Sequence, residues 1–437
     1  MVNTAAPPFT LAQLPPDLQH VLLTCVRVAA MQGVQFWLVG GVVRDLLQQR
    51  GPTRDLDLAY AGDAPQLCAD LAAALGATLV AEHGAFGTAT LAVPMPNAAP
   101  PLLLDLARTR REQYPQPASL PHVSPADIVT DLGRRDFSVN AMAVPLGLID
   151  ANPPTLGLGG LLDPHGGVAD LHTRRLRLLH AHSLRDDPTR VLRGVRLAVR
   201  MDMHFTPDTR AQISDMLAQG YLHQLSPERI RNELCLALEE PDPAGCLALA
   251  DQLGLLPQLA PERAWNPARA ADVRHARQYN DPLLVAGAVL WDCTPAARLG
   301  LGRHYRLDGA ALRLLTELDT LQPLLPTLHA PLANSYLDAL LHRYQPRTLQ
   351  LAILCDGAAR PQLEHYLHTL RLRRPHLNGH DLHRLGVPPG KLLGQLLAEL
   401  RVAVLDGQVT TRAEEVAWAQ AQVAALTGAG VPPTEPH

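Results

Sequence analysis

Lysine is nearly absent from this 437-residue chain: of its 38 basic residues only Lys391 is lysine. The remaining positive charge is arginine, whose planar fork suits bidentate contacts with phosphates and base edges. An Ala-, Leu-, Pro- and Arg-rich composition is also what a GC-rich genome produces, and that reading takes most of the credit. Long apolar runs are missing too. The longest uncharged stretches are interrupted by Pro, Gly or polar residues, so no membrane-spanning helix and no membrane partner are expected. The first residues, MVNTAAPPFTLAQLPPDLQHVL, lack a basic stretch followed by an apolar one; export is not expected, and the cytoplasm is. No C-x-x-C pair occurs. The six cysteines (Cys25, Cys68, Cys235, Cys246, Cys293, Cys355) are scattered, which reads as isolated core thiols in a reducing compartment. A net charge of −4 argues against a generally adhesive nucleic-acid binder but allows local patches. One such patch runs from Leu171 to Arg200, with eight arginines against Asp186 and Asp187.

What is present is length and pattern. At this length two to four domains are expected. Residues 19–33 have apolar positions at helical spacing, and Phe36–Val39 is a short apolar run ending in Gly40-Gly41. Val42–Leu47 and residues 65–76 read as helical. Asp55–Ala59 alternates like a strand, and Ala77–Ala81, Thr88–Val93 and Leu102–Ala107 are strand-like. After Asp163-Pro164-His165-Gly166-Gly167 nearly every segment is an amphipathic helical pattern broken by Pro or Gly. The expectation is an α+β chain: a mixed sheet with helices over residues 1–165, an all-helical neck over 166–265, and a helical body and tail over 266–437. The last residues, TGAGVPPTEPH, are expected to fray.

Leu38-Val39-Gly40-Gly41-Val42-Val43-Arg44-Asp45 sets two glycines between a strand and a helix. Backbone N–H groups there can approach a triphosphate, and Arg44 adds charge one turn on. Arg54-Asp55-Leu56-Asp57 follows. On a strand, residues i and i+2 face the same way, so Asp55 and Asp57 converge as hard oxygen ligands suited to Mg²⁺. Asp105 lies within the apolar run Leu102–Leu106, where an acid is costly unless it meets a metal or a partner. The alternative is an edge-strand acid facing water. Three carboxylates, two metals and an incoming 3′-hydroxyl describe in-line nucleotidyl transfer.

Together with His83-Gly84-x-Phe86-Gly87-Thr88 and Arg134-Arg135-Asp136-Phe137-Ser138-Val139-Asn140, these motifs resemble the bacterial and eukaryotic class of CCA tRNA nucleotidyltransferases. Their relatives, the bacterial poly(A) polymerases, belong to the same DNA polymerase β-like superfamily. The resemblance continues through Asp163-Pro164-x-Gly166-Gly167, Asp170-Leu171, Asp186-Asp187-Pro188-x-Arg190-x-x-Arg193-x-x-Arg196 and Ser226-Pro227-Glu228-Arg229-x-x-x-Glu233, in family order over roughly residues 36–235. It implies a polymerase β-like nucleotidyltransferase head followed by helical neck, body and tail, Mg²⁺ as cofactor, CTP and ATP as substrates, and tRNA, not DNA, as partner. It implies that Asp55 and Asp57 bind the metal and that Gly40, Gly41 and Arg44 hold the triphosphate. Arg135, Asp136 and Asn140, with Arg134, would order sugar and phosphates. Arg193 and Arg196 would support the nucleotide, and Asp186, Glu228 and Arg229 would stand behind it. Asp105 matches the acid on the neighbouring strand.

Asp187-Pro188 reads as a helix start. Val191, Leu192, Val195, Ala198 and Val199 form an apolar face, and Asp187, Arg190, Arg193 and Arg196 wind round the other side. An exposed basic face is the plain reading. Beside a triphosphate site the pattern gains a mechanism, because Asp accepts hydrogen bonds and Arg only donates. Cytosine and adenine both present an amino donor next to a ring-nitrogen acceptor. An Asp187–Arg190 pair can therefore read both, and it opposes the carbonyl of uracil or guanine. The family usually has Glu where this chain has Asp186, one methylene shorter, which bears on how the template arginine is oriented.

The basic-aromatic run of poly(A) polymerases is missing from Val80–Thr88, which favours the tRNA enzyme. CC-adding and A-adding enzymes share the motifs and differ in a flexible loop, here between Asp105 and Arg134, so the nucleotides added stay open. A non-catalytic RNA-binding relative is the remaining class. His380-Asp381 reads as a helix-start turn, and His180 and His182 as solvent-facing. Arg303, Arg306, Arg343, Arg371, Arg373 and Arg374 are candidates for phosphate contacts with the acceptor and T arms.

Overall fold

The computed structural model describes residues 13–50, 55–96, 99–149, 155–260 and 266–428. The chain forms two compact units, Met1–Ala264 and Trp265–His437. The final TGAGVPPTEPH segment falls almost wholly outside the described residues.

In the first unit, helix α1 (Pro16–Met31) starts on a proline and buries one stripe through Leu18, Leu22, Cys25 and Ala29. Strands of its N-terminal half are β1 (Gln35–Val39), β2 (Asp55–Ala61), β3 (Thr78–His83), β4 (Thr88–Val93), β5 (Leu102–Arg108), β6 (Arg110–Gln113), β7 (His122–Pro125), β8 (Ala143–Ile149) and β9 (Thr155–Leu158). Seven make one mixed sheet in the order β3-β4-β5-β2-β1-β8-β9. Within this sheet β2 and β5 run parallel, and their register sets Asp57 opposite Asp105. The strand period then sends Leu56, Leu58, Leu104 and Leu106 to the opposite face, where all four are buried. Helices α1 and α3 (Leu67–Leu75) pack against the sheet, while α2 (Gly41–Leu47) links β1 to β2.

Three features depart from the sequence expectations. Strands β8 and β9 were not anticipated: β8 carries Pro145 and Gly147, residues poor in strands. It forms because β1 pairs with it from Phe36 to Val39. Strand β5 lies between β4 and β2, so Asp105 is not on a sheet edge. The segment between Asp105 and Arg134 is not a plain loop. It folds into the β6–β7 ribbon, with Arg110 opposite Pro125, followed by helix α4 (Ile128–Gly133).

Chain character turns helical after Gly166. Helices α5 (Gly167–His172), α6 (Ser183–Asp186), α7 (Thr189–Met201), α8 (Pro207–Ala218), α9 (Pro227–Leu238) and α10 (Pro243–Gln252) complete most of the first unit. The second unit is helical from Ala270–Arg277 to Arg412–Gly428. Many of its helices begin with an Asp or Thr cap, as at Asp281, Thr294 and Asp308. His380 and Asp381 do lie in a helix start: Asn378 caps it, and the Asp381 carboxylate answers the Asn378 N–H in a capping box. No helix among the described residues is long and apolar enough to cross a membrane. Four cysteines are buried, but Cys68 is half-buried and Cys235 exposed, a correction to the expectation of core thiols throughout.

Candidate active site

A cleft of about 770 Å³ in the first unit collects residues from the sheet, α2, the β6–β7 ribbon, α7 and α9. Nine arginines and six carboxylates line it, so an anionic ligand is favoured electrostatically while a cation still finds hard oxygen donors.

The sheet side comes from strand geometry. Asp57 and Asp105 sit at paired positions on neighbouring parallel strands and both reach the cleft. Thr90, opposite Asp105 on β4, donates its hydroxyl to the Asp105 carboxylate. The backbone of Asp55 pairs with Leu103, but its side chain and all of Arg54 lie outside the described residues. Among the described residues no group of three or more His, Cys, Asp or Glu side chains forms a metal cage. Gly40 has φ 73°, and a Cβ there would lie 3.1 Å from Asp57 Oδ2 and 3.4 Å from Arg135 Nη1. Only glycine fits that position. Helix α2 has just seven residues, so the charge facing an anion comes mainly from arginine side chains.

Those arginines are held by a chain of acids. Arg44 is buried; its Nε donates to Asp45 at 2.8 Å and its Nη1 to Asn140 Oδ1 at 2.6 Å. Asn140 in turn donates to Asp136 Oδ1, whose other oxygen accepts Nε and Nη2 of Arg193 at 3.0 and 2.8 Å. Burial alone would raise the Asp136 pKa. Arg193, Asn140 and the Phe137 N–H outweigh burial and hold it down at about 2. Gly194 permits this contact, because a Cβ on it would strike the Phe137 ring at 2.6 Å. The Phe137 ring therefore seats against α7 and delivers its neighbour Asp136 to Arg193.

Asp131, on α4, is buried and accepts from both Arg134 and Arg135. Burial works to raise its pKa, but the two guanidiniums bring it below the ordinary value. Glu112 on β6 takes Arg134 Nη1, Arg110 Nε and the Tyr114 hydroxyl. Burial, and then Glu112, push that phenol's pKa up. The Nε of Arg135 is buried without a hydrogen-bond partner, as expected of a donor kept for a ligand of the cleft.

On the helical side, α7 begins at Thr189, directly after Pro188, and the Asp187 carboxylate accepts the Thr189 N–H and hydroxyl. Arg190 is not on an exposed face. It is 5% accessible, donating Nη1 to Ser183 Oγ at 2.6 Å and Nη2 to the Arg134 carbonyl at 2.8 Å. Asp187 and Arg190 both line the cleft, and each has its own anchor, Asp187 being held by Arg229 Nη2 at 2.8 Å. Arg229 also donates to the Ala118 carbonyl in the β6–β7 connection. Leu197 and Gly194 join the buried face of α7, whereas Val199 is only half-buried. Arg196 is tied to Glu233 and Glu240. Asp186 lines a smaller side cavity of about 310 Å³ with Arg134, Arg190 and His180. His180 is half-buried, not solvent-facing; burial and then Arg190 lower its pKa. Glu228 lies in the first turn of α9, next to Arg229.

In the second unit, Arg303, Arg306, Arg343, Arg373 and Arg374 are exposed. Arg371 is half-buried, stacked over Tyr366 and bonded to the Tyr344 carbonyl.

Sequence reasoning missed Asp131, Glu112, Ser183 and Glu240. Asp131 had a signal, since it stands three and four residues before Arg134 and Arg135 at helical spacing. The others had none, because their partners are remote in sequence or unremarkable in type.

Residues 36–177 match the family model described as Poly A polymerase head domain, and residues 202–265 match the one described as Probable RNA and SrmB- binding site of polymerase A. The chain is 36% identical to the CC-adding tRNA nucleotidyltransferase of Deinococcus radiodurans, covering 92% of this chain and 93% of the relative. It is 31% identical to the A-adding tRNA nucleotidyltransferase of Halalkalibacterium halodurans over 92% of each. A solved CCA-adding enzyme in an apo form superposes with a TM-score of 0.74 at 26% identity, covering 95% of this chain and 97% of that one.

Proposed function

This chain belongs to the tRNA nucleotidyltransferase and poly(A) polymerase family, and from that premise we propose that it adds C, A or both to the 3′ end of tRNA from CTP and ATP, with Mg²⁺. The observation that carries the reading is the Asp57–Asp105 register on parallel strands, opening on an arginine-lined cleft.

Asp57 and Asp105, with Asp55, are the residues that would hold Mg²⁺. Carboxylates on adjacent strands facing a cleft for phosphates are the hard donors such an ion takes. When bound, the ion supplies activation of the 3′-hydroxyl and charge neutralisation on the triphosphate. The protein's part is positioning. The close backbone at Gly40 and Gly41 admits the phosphates, and Arg44 and Arg135 face them. Asp136 and Asn140 fix Arg44 and Arg193, so the cations are ordered before the ligand arrives. Asp187 accepts from the amino group of cytosine or adenine, and Arg190 donates to the adjacent ring nitrogen. Uracil and guanine would present a carbonyl to Asp187 and leave buried groups unpaired. Arg196 supports the nucleotide from the same helix, and Asp186, Glu228 and Arg229 stand behind the selecting pair. The helical neck and the second unit would hold the acceptor and T arms, with salt-sensitive affinity.

A division of labour is the second reading, because relatives matched over more than nine-tenths of both chains include a CC-adding and an A-adding enzyme. One assay separates the cases. Purified protein with Mg²⁺ receives tRNA transcripts ending at the discriminator base, after C, and after CC, with each triphosphate singly and together. Completion of CCA on all three followed by arrest is the full activity. A stop at CC is the CC-adding enzyme, and use of the third substrate alone is the A-adding one. Long A tails, or no incorporation at all, overturn the proposal.

A further inference from the structure

We infer that Ser183 is a positioning residue for base choice, giving Arg190 a side-chain acceptor that the nearby Asp186 carboxylate does not supply. This rests on the reading of Arg190 as a base-selecting group.

Arg190 is buried, and a buried guanidinium needs fixed acceptors to keep one orientation. Its two anchors are both neutral: the Ser183 hydroxyl at 2.6 Å and the Arg134 carbonyl at 2.8 Å. These occupy two of its five N–H groups, leaving the rest for the cleft it lines. Ser183 is fully buried at the first position of α6, and its own N–H is tied to the His180 carbonyl. The hydroxyl is therefore a buried acceptor for Arg190, not a surface group. Asp186, at the other end of the same one-turn helix, opens instead on the side cavity shared with Arg134 and Arg190. Arg190 thus depends on a hydroxyl seven residues back. Because Ser183 does not line the cleft, its effect on substrate passes only through Arg190.

The test compares CTP with UTP, and ATP with GTP, by kcat/KM on tRNA substrates for wild type, Ser183→Ala, Arg190→Ala and Ser183→Ala/Asp186→Glu. Wild type is expected to discriminate, and Arg190→Ala to lose discrimination. Ser183→Ala should lower the CTP-over-UTP ratio about tenfold, the scale of one charged hydrogen bond, while kcat with the correct triphosphate falls much less. Adding Asp186→Glu should restore most of the ratio by extending the side-cavity carboxylate one methylene toward Arg190. If Arg190→Ala loses discrimination but Ser183→Ala keeps it, or loses rate equally for all four triphosphates, the inference about Ser183 fails alone. Loss in Ser183→Ala without recovery in the double variant also overturns it, since the acceptor was then not what mattered. Unchanged base choice in Arg190→Ala removes the underlying reading of Arg190 instead.

Discussion

The two sides of the cleft are built on different principles. The sheet side uses short side chains on a rigid ladder. Asp57 and Asp105 owe their alignment to strand register, and a carboxylate one carbon from the backbone has little room to wander. The α7 side uses arginines, each long and rotamer-rich, and every one that matters is tied at its far end: Arg190 to Ser183, Arg193 to Asp136, Arg196 to Glu233 and Glu240. Precision comes from the backbone on one side and from the partner on the other. Damage on the sheet side should accordingly act on rate, and damage on the helix side on selection and binding.

The largest effect is expected from Asp57→Ala, which should reduce incorporation by about a thousandfold or more while tRNA binding by gel shift stays nearly unchanged. Parallel loss of tRNA binding would break the division between the two sides. Next comes Gly40→Ala. Its φ of 73° and the 3.1 Å approach to Asp57 Oδ2 mean that the new methyl must displace the carboxylate. A fall in kcat of about a hundredfold, with a stability loss of only about 1 kcal/mol, is expected from single-turnover kinetics and thermal unfolding.

Asp136→Asn tests the helix side. The depressed pKa of Asp136 means that its ionised form stabilises the fold above the ordinary value of 3.8, and that this contribution is lost as pH falls toward about 2. Its size is on the order of 2 kcal/mol. Wild type should lose stability through that window in acid-unfolding curves, and Asp136→Asn should show a shallower slope there with weaker triphosphate binding. The smallest effect is expected for Glu240→Gln, which loosens Arg196 and Arg200 together. A rise of about threefold in KM, with kcat unchanged, would fit an anchoring role. A change in kcat alone would place Glu240 with the chemistry.

Much of the first unit was legible because its signals are local. A glycine pair after an apolar strand, acids two apart on the next strand and a proline at a helix start each act within one or two turns of chain. The strands missed were those whose own residues argue against them: Pro145 and Gly147 in β8 are overruled by pairing with β1. The β6–β7 ribbon escaped for a related reason. Its Pro-rich connection reads as loop, and only the pairing of Arg110–Gln113 with His122–Pro125 makes it a strand pair.

By itself the sequence determined the face of its own element on which each of Asp57, Asp105, Arg190 and Arg193 lies, through strand alternation and helical period. It could not determine which acid or hydroxyl each arginine would serve. Asp136 meets Arg193 across 57 residues, Glu112 meets Arg134 across 22, and Arg196 meets Glu240 across 44. Such partnerships depend on how separate elements pack, as with Phe137 seated on Gly194. No periodicity within one element carries that information, so only the tertiary structure could decide it.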